Sequence, residues 1–395
     1  MKKPYSKLTV FSWSMYDFAN QPFTTLIVTF IYGTFFTKVI AENEIVGTVL
    51  WSRGITITAL IVAFLSPIMG AIADKGGYRK LYLIFWTWVS IAGSLLLWFP
   101  IEGQVVFALT AFIIGNVGFE MGGVFCNAFL PEIAPKKKIG RVSGYGWSFG
   151  YVGGLIALAL GLLLFINPEI PIFNLDKSTH EHIRGTNIMV AIWFAVFSIP
   201  TFLFVNEDHR IGKKKKDLIS DSIKQIRETF RNVRQYREMT RFLIARLIYN
   251  DGLITIFAFG GIYAAGTFDF SFQEIMIFAI VLNVAAGMGA FLMGFLDDFI
   301  GGKQTIQISN YGLILACIIA VVVPNRDLFS IGFPILGDTM ISGKTMFWVS
   351  GVLIGIFSGP NQASSRSLMA RFVPQGKENE FFGFFAFSGK ATAFL

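Results

Sequence analysis

Gly70-Ala-Ile72-Ala-Asp74-Lys-Gly-Gly77-Tyr-Arg79-Lys80 decides the fold, because the chain repeats it as Gly294-Phe-Leu296-Asp-Asp298-Phe-Ile-Gly301-Gly-Lys303. Glycine, an aliphatic residue, aspartate, glycine and a cation recur at a single offset of 224 residues. Each copy follows an apolar run. A second match pairs Phe129, Pro131, Gly140 and Gly146 with Phe372, Pro374, Gly383 and Gly389 at an offset of 243. The chain is therefore read as two halves of one duplicated design.

The runs between these signatures set the solvent. Of 395 residues, 54% are hydrophobic and only 15% are charged, with a mean hydropathy of +0.60. A soluble domain carries about 25% charged residues, so there is too little charge to coat soluble domains. A bilayer core needs about 20 apolar residues per helix. Ten complete spans are predicted, at 10–39, 49–73, 81–99, 105–130, 144–165, 188–205, 242–265, 274–296, 305–323 and 345–370, and an eleventh begins near Phe381. Lys2-Lys3 before the first run mimics a signal peptide, but Asp17, Asn20, Gln21 and Pro22 interrupt it. The N-terminus and the loops after even-numbered spans hold 24 of the 33 Lys and Arg residues. By the positive-inside rule these segments are cytoplasmic. The net charge of +8 is explained by that topology and not by a nucleic-acid partner. Cys126 and Cys317 both fall inside apolar runs, without metal-ligand spacing.

The predicted domains are a six-helix bundle over 1–205, a basic amphipathic linker helix over 206–241, and a second bundle over 242–395. Ile219, Ile223, Ile226, Phe230 and Val233 form the apolar stripe of the linker helix, with Lys224, Arg227, Arg231 and Arg234 largely off it. It is expected on the membrane surface or beneath the bundle. The duplication predicts that the second bundle is truncated within the eleventh span, the rest of that span and a twelfth being absent.

Ionised residues inside spans are costly and mark function. Asp17 lies in span one, Glu120 in span four, Arg246 and Asp251 in span seven, Arg366 in span ten and Lys390 in span eleven. Five of these six fall in spans one, four, seven and ten, as do Asn20, Gln21, Asn250, Asn361 and Gln362. This period of three spans predicts one polar interior shared by those four helices. Gly359-Pro360-Asn361-Gln362 is expected to unwind span ten beside it. Gly146, Gly150, Gly153 and Gly154 are read as a close-packing face of span five.

Gly70 to Lys80 resembles the loop motif of the major facilitator superfamily, G-x-[LI]-A-D-[KR]-x-G-x-R-K, and the second copy is a degenerate version. Tyr16-Asp17-Phe18-Ala19-Asn20, Asn127-Ala-Phe-Leu-Pro131-Glu132, Gly140-Arg141-Val142-Ser143-Gly144-Tyr-Gly146-Trp147, Gln362-Ala-Ser-Ser-Arg366-Ser367 and Glu380-Phe-Phe-Gly383 resemble the vacuole effluxer-like branch. The resemblance implies an all-α fold of two pseudo-symmetric six-helix bundles that rock about a central site. It implies that Gly70, Asp74, Gly77, Arg79 and Lys80 form a cytoplasmic gate, with Asp74 against the start of span eleven, and that Asp298 and Lys303 are its weaker copy. Fungal members resemble exporters of vacuolar amino acids.

The expected function is secondary active transport of a small polar solute by alternating access, with efflux as the favoured direction. Asp17, Asn20, Gln21, Glu120, Arg246, Asn250, Asp251, Asn361, Gln362 and Arg366 are the candidates for solute binding or coupling. Carboxylates and guanidiniums together suit a zwitterion such as an amino acid. Asp17 or Glu120 is placed to carry a coupling proton, and no other cofactor or metal is expected. No phosphate-binding loop or HExxH pattern occurs, so an enzyme is not expected. A non-transporting nutrient sensor on the same fold is the alternative. The expected setting is the bacterial cytoplasmic membrane with the N-terminus inside, the protein monomeric, and solute and lipid its partners.

Overall fold

The computed structural model describes residues 6–207, 218–231, 233–322 and 343–392, and among these every regular element is a helix. Eight helices are long and apolar enough to cross a membrane, among them Lys7–Ile40, Glu44–Gly76, Glu181–Phe204 and Gly302–Val322. Arg79–Leu96 (span three) and Gly343–Phe372 (span ten) complete the ten. The first opens on Arg79-Lys80, and the second carries a polar block, Ser358 to Ser367, that is buried in protein. The remaining spans are four, Val105–Asn127; five, Ile139–Leu160; seven, Arg237–Phe268; and eight, Phe272–Ile300; with Glu378–Lys390 as the described part of span eleven.

The repeated motif sits where two spans meet head to tail. Gly77 takes a left-handed conformation (φ +69°) and ends span two, so span three starts two residues later. Its counterpart Gly301 (φ +96°) ends span eight. At the outer end, Ser271 and Glu274 form a reciprocal cap that starts span eight.

Local irregularity is found in span one and not in span ten. Pro22 has no N–H to donate, and the turns that follow widen into π-helix at Phe23–Phe30 and again at Phe36–Ile40. Span ten runs unbroken through Pro360, so the expected unwinding at Gly359–Gln362 does not occur. Gly359 instead lets spans ten and eight touch, since a Cβ there would collide with the Ala286 carbonyl.

Three apolar clusters show how the halves sit. One joins both halves at the cytoplasmic end, with Trp13, Phe129 and Val142 packed with Met369, Phe381 and Phe382. The second belongs to the first half alone, around Phe23, Tyr32, Trp51 and Phe112. The third belongs to the second half alone, around Phe268, Phe278 and Phe347. The halves therefore share a core on the cytoplasmic side and keep separate cores on the outer side.

Glycines bring the halves together. Gly70 of span two lies against the Asn379–Glu380 backbone, and Gly294 of span eight lies against Gly140 and Arg141. Gly383 lies against Ser66, and Gly144 against Ala290. Structurally, then, Gly383 corresponds to Gly144. The sequence pairing of Gly383 with Gly140 is one helical turn out. Gly140/Gly144 and Gly146/Gly150 recur at one-turn spacing, so the slip still set glycine on glycine.

Between the bundles, Leu218–Arg231 forms a helix of 14 residues, and a 3₁₀ turn at Val233–Tyr236 leads into span seven. Among its described side chains Ser222 and Thr229 are buried, while Ile223 is exposed. The helix thus meets the bundle partly through polar contacts: Lys75 Nζ donates to the Asp221 carbonyl, and Gln225 Nε2 donates to Glu380 Oε2 at 2.5 Å. The side chains of Ile219, Phe230 and Val233, and most of the loop 324–344, lie outside the described residues.

Candidate functional site

Two of the ion pairs that cross between the halves lie inside the spans. Arg366 of span ten meets Asp17 of span one at 2.7 Å, and Lys390 of span eleven meets Glu120 of span four at 2.6 Å. Arg366 is 3% exposed. Its Nε donates to Ser143 Oγ (2.9 Å), its Nη2 to the Ser143 carbonyl (2.7 Å) and its Nη1 also to Asn127 Oδ1 (3.1 Å). The guanidinium carbon stands 4.7 Å from the Trp13 ring centre and 5.6 Å from that of Trp147. A charge this deep is stable only when paired and fully hydrogen-bonded. Gly146 makes room for the pair, because a Cβ there would stand 2.5 Å from both Arg366 Nη2 and Asp17 Oδ2.

The span-seven candidates face span eleven within the second half. Arg246 Nη1 donates to the Phe385 carbonyl (2.7 Å) and to Ser388 Oγ (2.9 Å), with its guanidinium 3.7 Å from the Phe385 ring centre. Asn250 Nδ2 donates to the Gly389 carbonyl (3.2 Å), and Asp251 Oδ1 accepts from Thr392 (2.6 Å). Asn361 Nδ2 donates to Asn310 Oδ1 of span nine (2.7 Å).

A cleft of about 490 Å³ opens on the outer side between the halves. Its walls are span one from Gln21 to Val39, span five at Tyr151 and Leu158, the start of span six, and span eight from Ile275 to Asn283. Gln21, Thr25, Thr29, Tyr151 and Asn283 supply polar groups on a mostly apolar surface. Of the ten solute-site candidates only Gln21 lines it. Gln362 Nε2 reaches it through the Tyr151 hydroxyl at 3.4 Å. The charged candidates are engaged elsewhere, Asp17 with Arg366, Glu120 with Lys390, and Arg246 and Asp251 with span eleven and the residues after it, which is why they do not face the void.

The cytoplasmic side is sealed twice, with matching chemistry. Asp74 Oδ1 accepts from the Asn379 N–H (3.0 Å) and Nδ2 (2.7 Å), and Oδ2 accepts from the Glu380 N–H (2.8 Å). These are free amides in the first turn of span eleven, where a carboxylate also complements the helix dipole. Asp298 does the same for span five, accepting from the Gly140 N–H (2.8 Å) and from Arg141 Nε (2.5 Å). Arg79 is buried between Glu132 (2.9 Å) and Glu378 (3.2 Å), and Glu207 accepts from the Arg79 and Lys80 N–H groups. Arg371 pairs with Asp297 at 2.5 Å. Lys303 is exposed, so the cation of the second seal comes from Arg141 and Arg371 and not from the position matched to Arg79. Arg141, Asp297, Arg371, Glu132 and Glu378 all sit at span ends, where the positive-inside rule already accounts for the two arginines and the sequence reading gives the three carboxylates no role. Only their spacing from the two motifs hinted at more.

Two bundles, a shared cytoplasmic core and paired carboxylate caps define a transporter of the major facilitator fold. The chain belongs to the vacuole effluxer Atg22-like family, whose sequence profile matches residues 47–395. It is 26% identical over 387 residues to "Uncharacterized MFS-type transporter YxiO" of Bacillus subtilis, covering 97% of this chain and 85% of that one. It is 22% identical to "Autophagy-related protein 22" of Kluyveromyces lactis, covering 87% and 71%. Among solved structures, the proton:xylose symporter XylE superposes with a TM-score of 0.71 at 12% identity, covering 100% and 88%. The transporter FucP in its outward conformation superposes with 0.67 at 15% identity, covering 98% and 89%. The protein is a multi-pass membrane protein.

Proposed function

We propose that this protein is a secondary active carrier of zwitterionic solutes, amino acids foremost, and that the described conformation is open outward and closed to the cytoplasm. One observation carries the reading: the halves share a core and two carboxylate seals on one side and part around a cleft on the other. Rocking the halves would close the cleft, break both seals and open the route to the cytoplasm.

The solute class follows from the Asp17–Arg366 pair at the base of the interface. Separating a buried pair by removing one partner costs about 3–5 kcal/mol. A zwitterion offsets that cost, because its ammonium replaces Arg366 at Asp17 and its carboxylate replaces Asp17 at Arg366. A neutral solute leaves both ions bare. Glu120, paired with Lys390, is the candidate for a coupling proton, since protonation releases the lysine and loosens the halves. The efflux direction and a bacterial cytoplasmic location are proposed from the family's description and from the Bacillus relative.

The test is flux of labelled amino acids in proteoliposomes under an imposed pH gradient. Uptake or release by the native protein, lost in Asp17→Asn, supports the reading. No flux of any amino acid, with sugars or organic acids carried instead, rules out the solute class.

A further inference from the structure

A second cavity, about 610 Å³, lies on the cytoplasmic half of the protein's flank and belongs to neither the outer cleft nor the seals. Its walls come from span two (Phe64, Pro67), span seven (Leu243, Leu247) and span eleven (Phe384, Phe387). Phe64, Ile68, Ile244 and Phe387 are exposed along its rim, so it opens sideways into the acyl chains. The linker helix closes its cytoplasmic end with Ile226 and Thr229.

At that end stands Lys377. Its Nζ donates to Thr229 Oγ1 (3.2 Å) and lies 5.9 Å from the Tyr236 ring centre, and both of those residues line the cavity. Among the described residues Lys377 has no carboxylate within ion-pair distance, although it is half-buried. A half-buried ammonium without an anion gains from acquiring one. Lys224, Arg227, Arg231 and Arg234 outnumber Asp221 and Glu228 on the adjoining helix and turn, so the element that flanks the cavity is net basic. An apolar slot open to lipid and ending on an unneutralised cation matches an anionic phospholipid and not a free solute.

We infer that the crevice binds one anionic phospholipid of the cytoplasmic leaflet, an acyl chain between spans two, seven and eleven and the phosphate at Lys377. Span two belongs to one half, and spans seven and eleven to the other. A lipid seated there therefore bridges the halves and favours the closed cytoplasmic face.

The experiment uses the full-length protein, delipidated and then mixed with phosphatidylglycerol, phosphatidylcholine or inorganic phosphate, with bound lipid counted by native mass spectrometry. One phosphatidylglycerol per protein, held more tightly than phosphatidylcholine, is expected. Lys377→Gln should weaken it about fivefold, the effect of losing one basic contact, and Lys377→Arg should retain it. A brominated-chain phosphatidylglycerol should quench the fluorescence of a Phe387→Trp variant. Equal binding of the two lipids, unchanged binding in Lys377→Gln, or equal occupancy by inorganic phosphate alone overturns the proposal. Retained lipid without quenching also overturns it, because the lipid is then bound outside the crevice.

Discussion

Asp17 and Arg366 stand 2.7 Å apart from opposite halves of the chain, and Gly146 leaves the space in which they meet. The pair is a lock across the interface as well as a candidate solute site. Its variants therefore separate stability from transport.

Removing one partner strands the other. Asp17→Asn and Arg366→Gln should each lower the unfolding midpoint in detergent, by an amount corresponding to about 3–5 kcal/mol. The double variant should be less destabilised than the two losses combined. Thermal denaturation of all three reads this directly, and additive losses would show that the pair contributes no coupling.

Gly146→Ala tests the same geometry without touching a charge. Its Cβ would press on both ions at 2.5 Å. Flux should fall at least tenfold while the fold persists, as judged by a monodisperse elution profile. Full activity would mean that the pair relaxes at no cost.

The two carboxylate caps predict matched effects. Asp74→Asn keeps one acceptor for the first-turn amides of span eleven but loses the charge. Asp74→Ala loses both, and Asp298→Ala does the same for span five. Loss of a cap costs about 0.5–2 kcal/mol, which should raise the population open to the cytoplasm. Labelling of Ala73→Cys, a position 1% exposed in the closed state, should quicken in both alanine variants and less in Asp74→Asn.

The cleft residues should act on affinity. Gln21→Ala and Asn283→Ala are expected to raise KM severalfold with little change in kcat, because both line the open cleft. Tyr151→Phe removes the hydroxyl that meets Gln362 and should affect closure, so that kcat falls.

Much of this was legible in the sequence for a physical reason. Apolar length marks a span, and an ion inside one has so high a cost that it must be placed by design. Asp17, Glu120, Arg366 and Lys390 stood out that way, and they do meet in two pairs. The cleft was not legible, because Thr25, Thr29, Tyr151 and Asn283 carry no charge and look like ordinary span residues. The second seal was hidden for the opposite reason: Arg141 and Arg371 lie where positive charge already had a topological explanation. Pro360 looked like a helix breaker, yet close packing of Gly359 on Ala286 holds span ten straight. Pro22 loosens span one instead.

Alternating access about this interface is tested most directly by two distances followed together. Spin labels at Lys38 and Met276 report the outer mouth, and labels at Lys136 and Lys303 report the sealed side. On adding a saturating mixture of amino acids, the account predicts that the outer distance shortens as the cytoplasmic distance lengthens. If both distances stay fixed, or both change in the same direction, the halves do not rock and the account is contradicted.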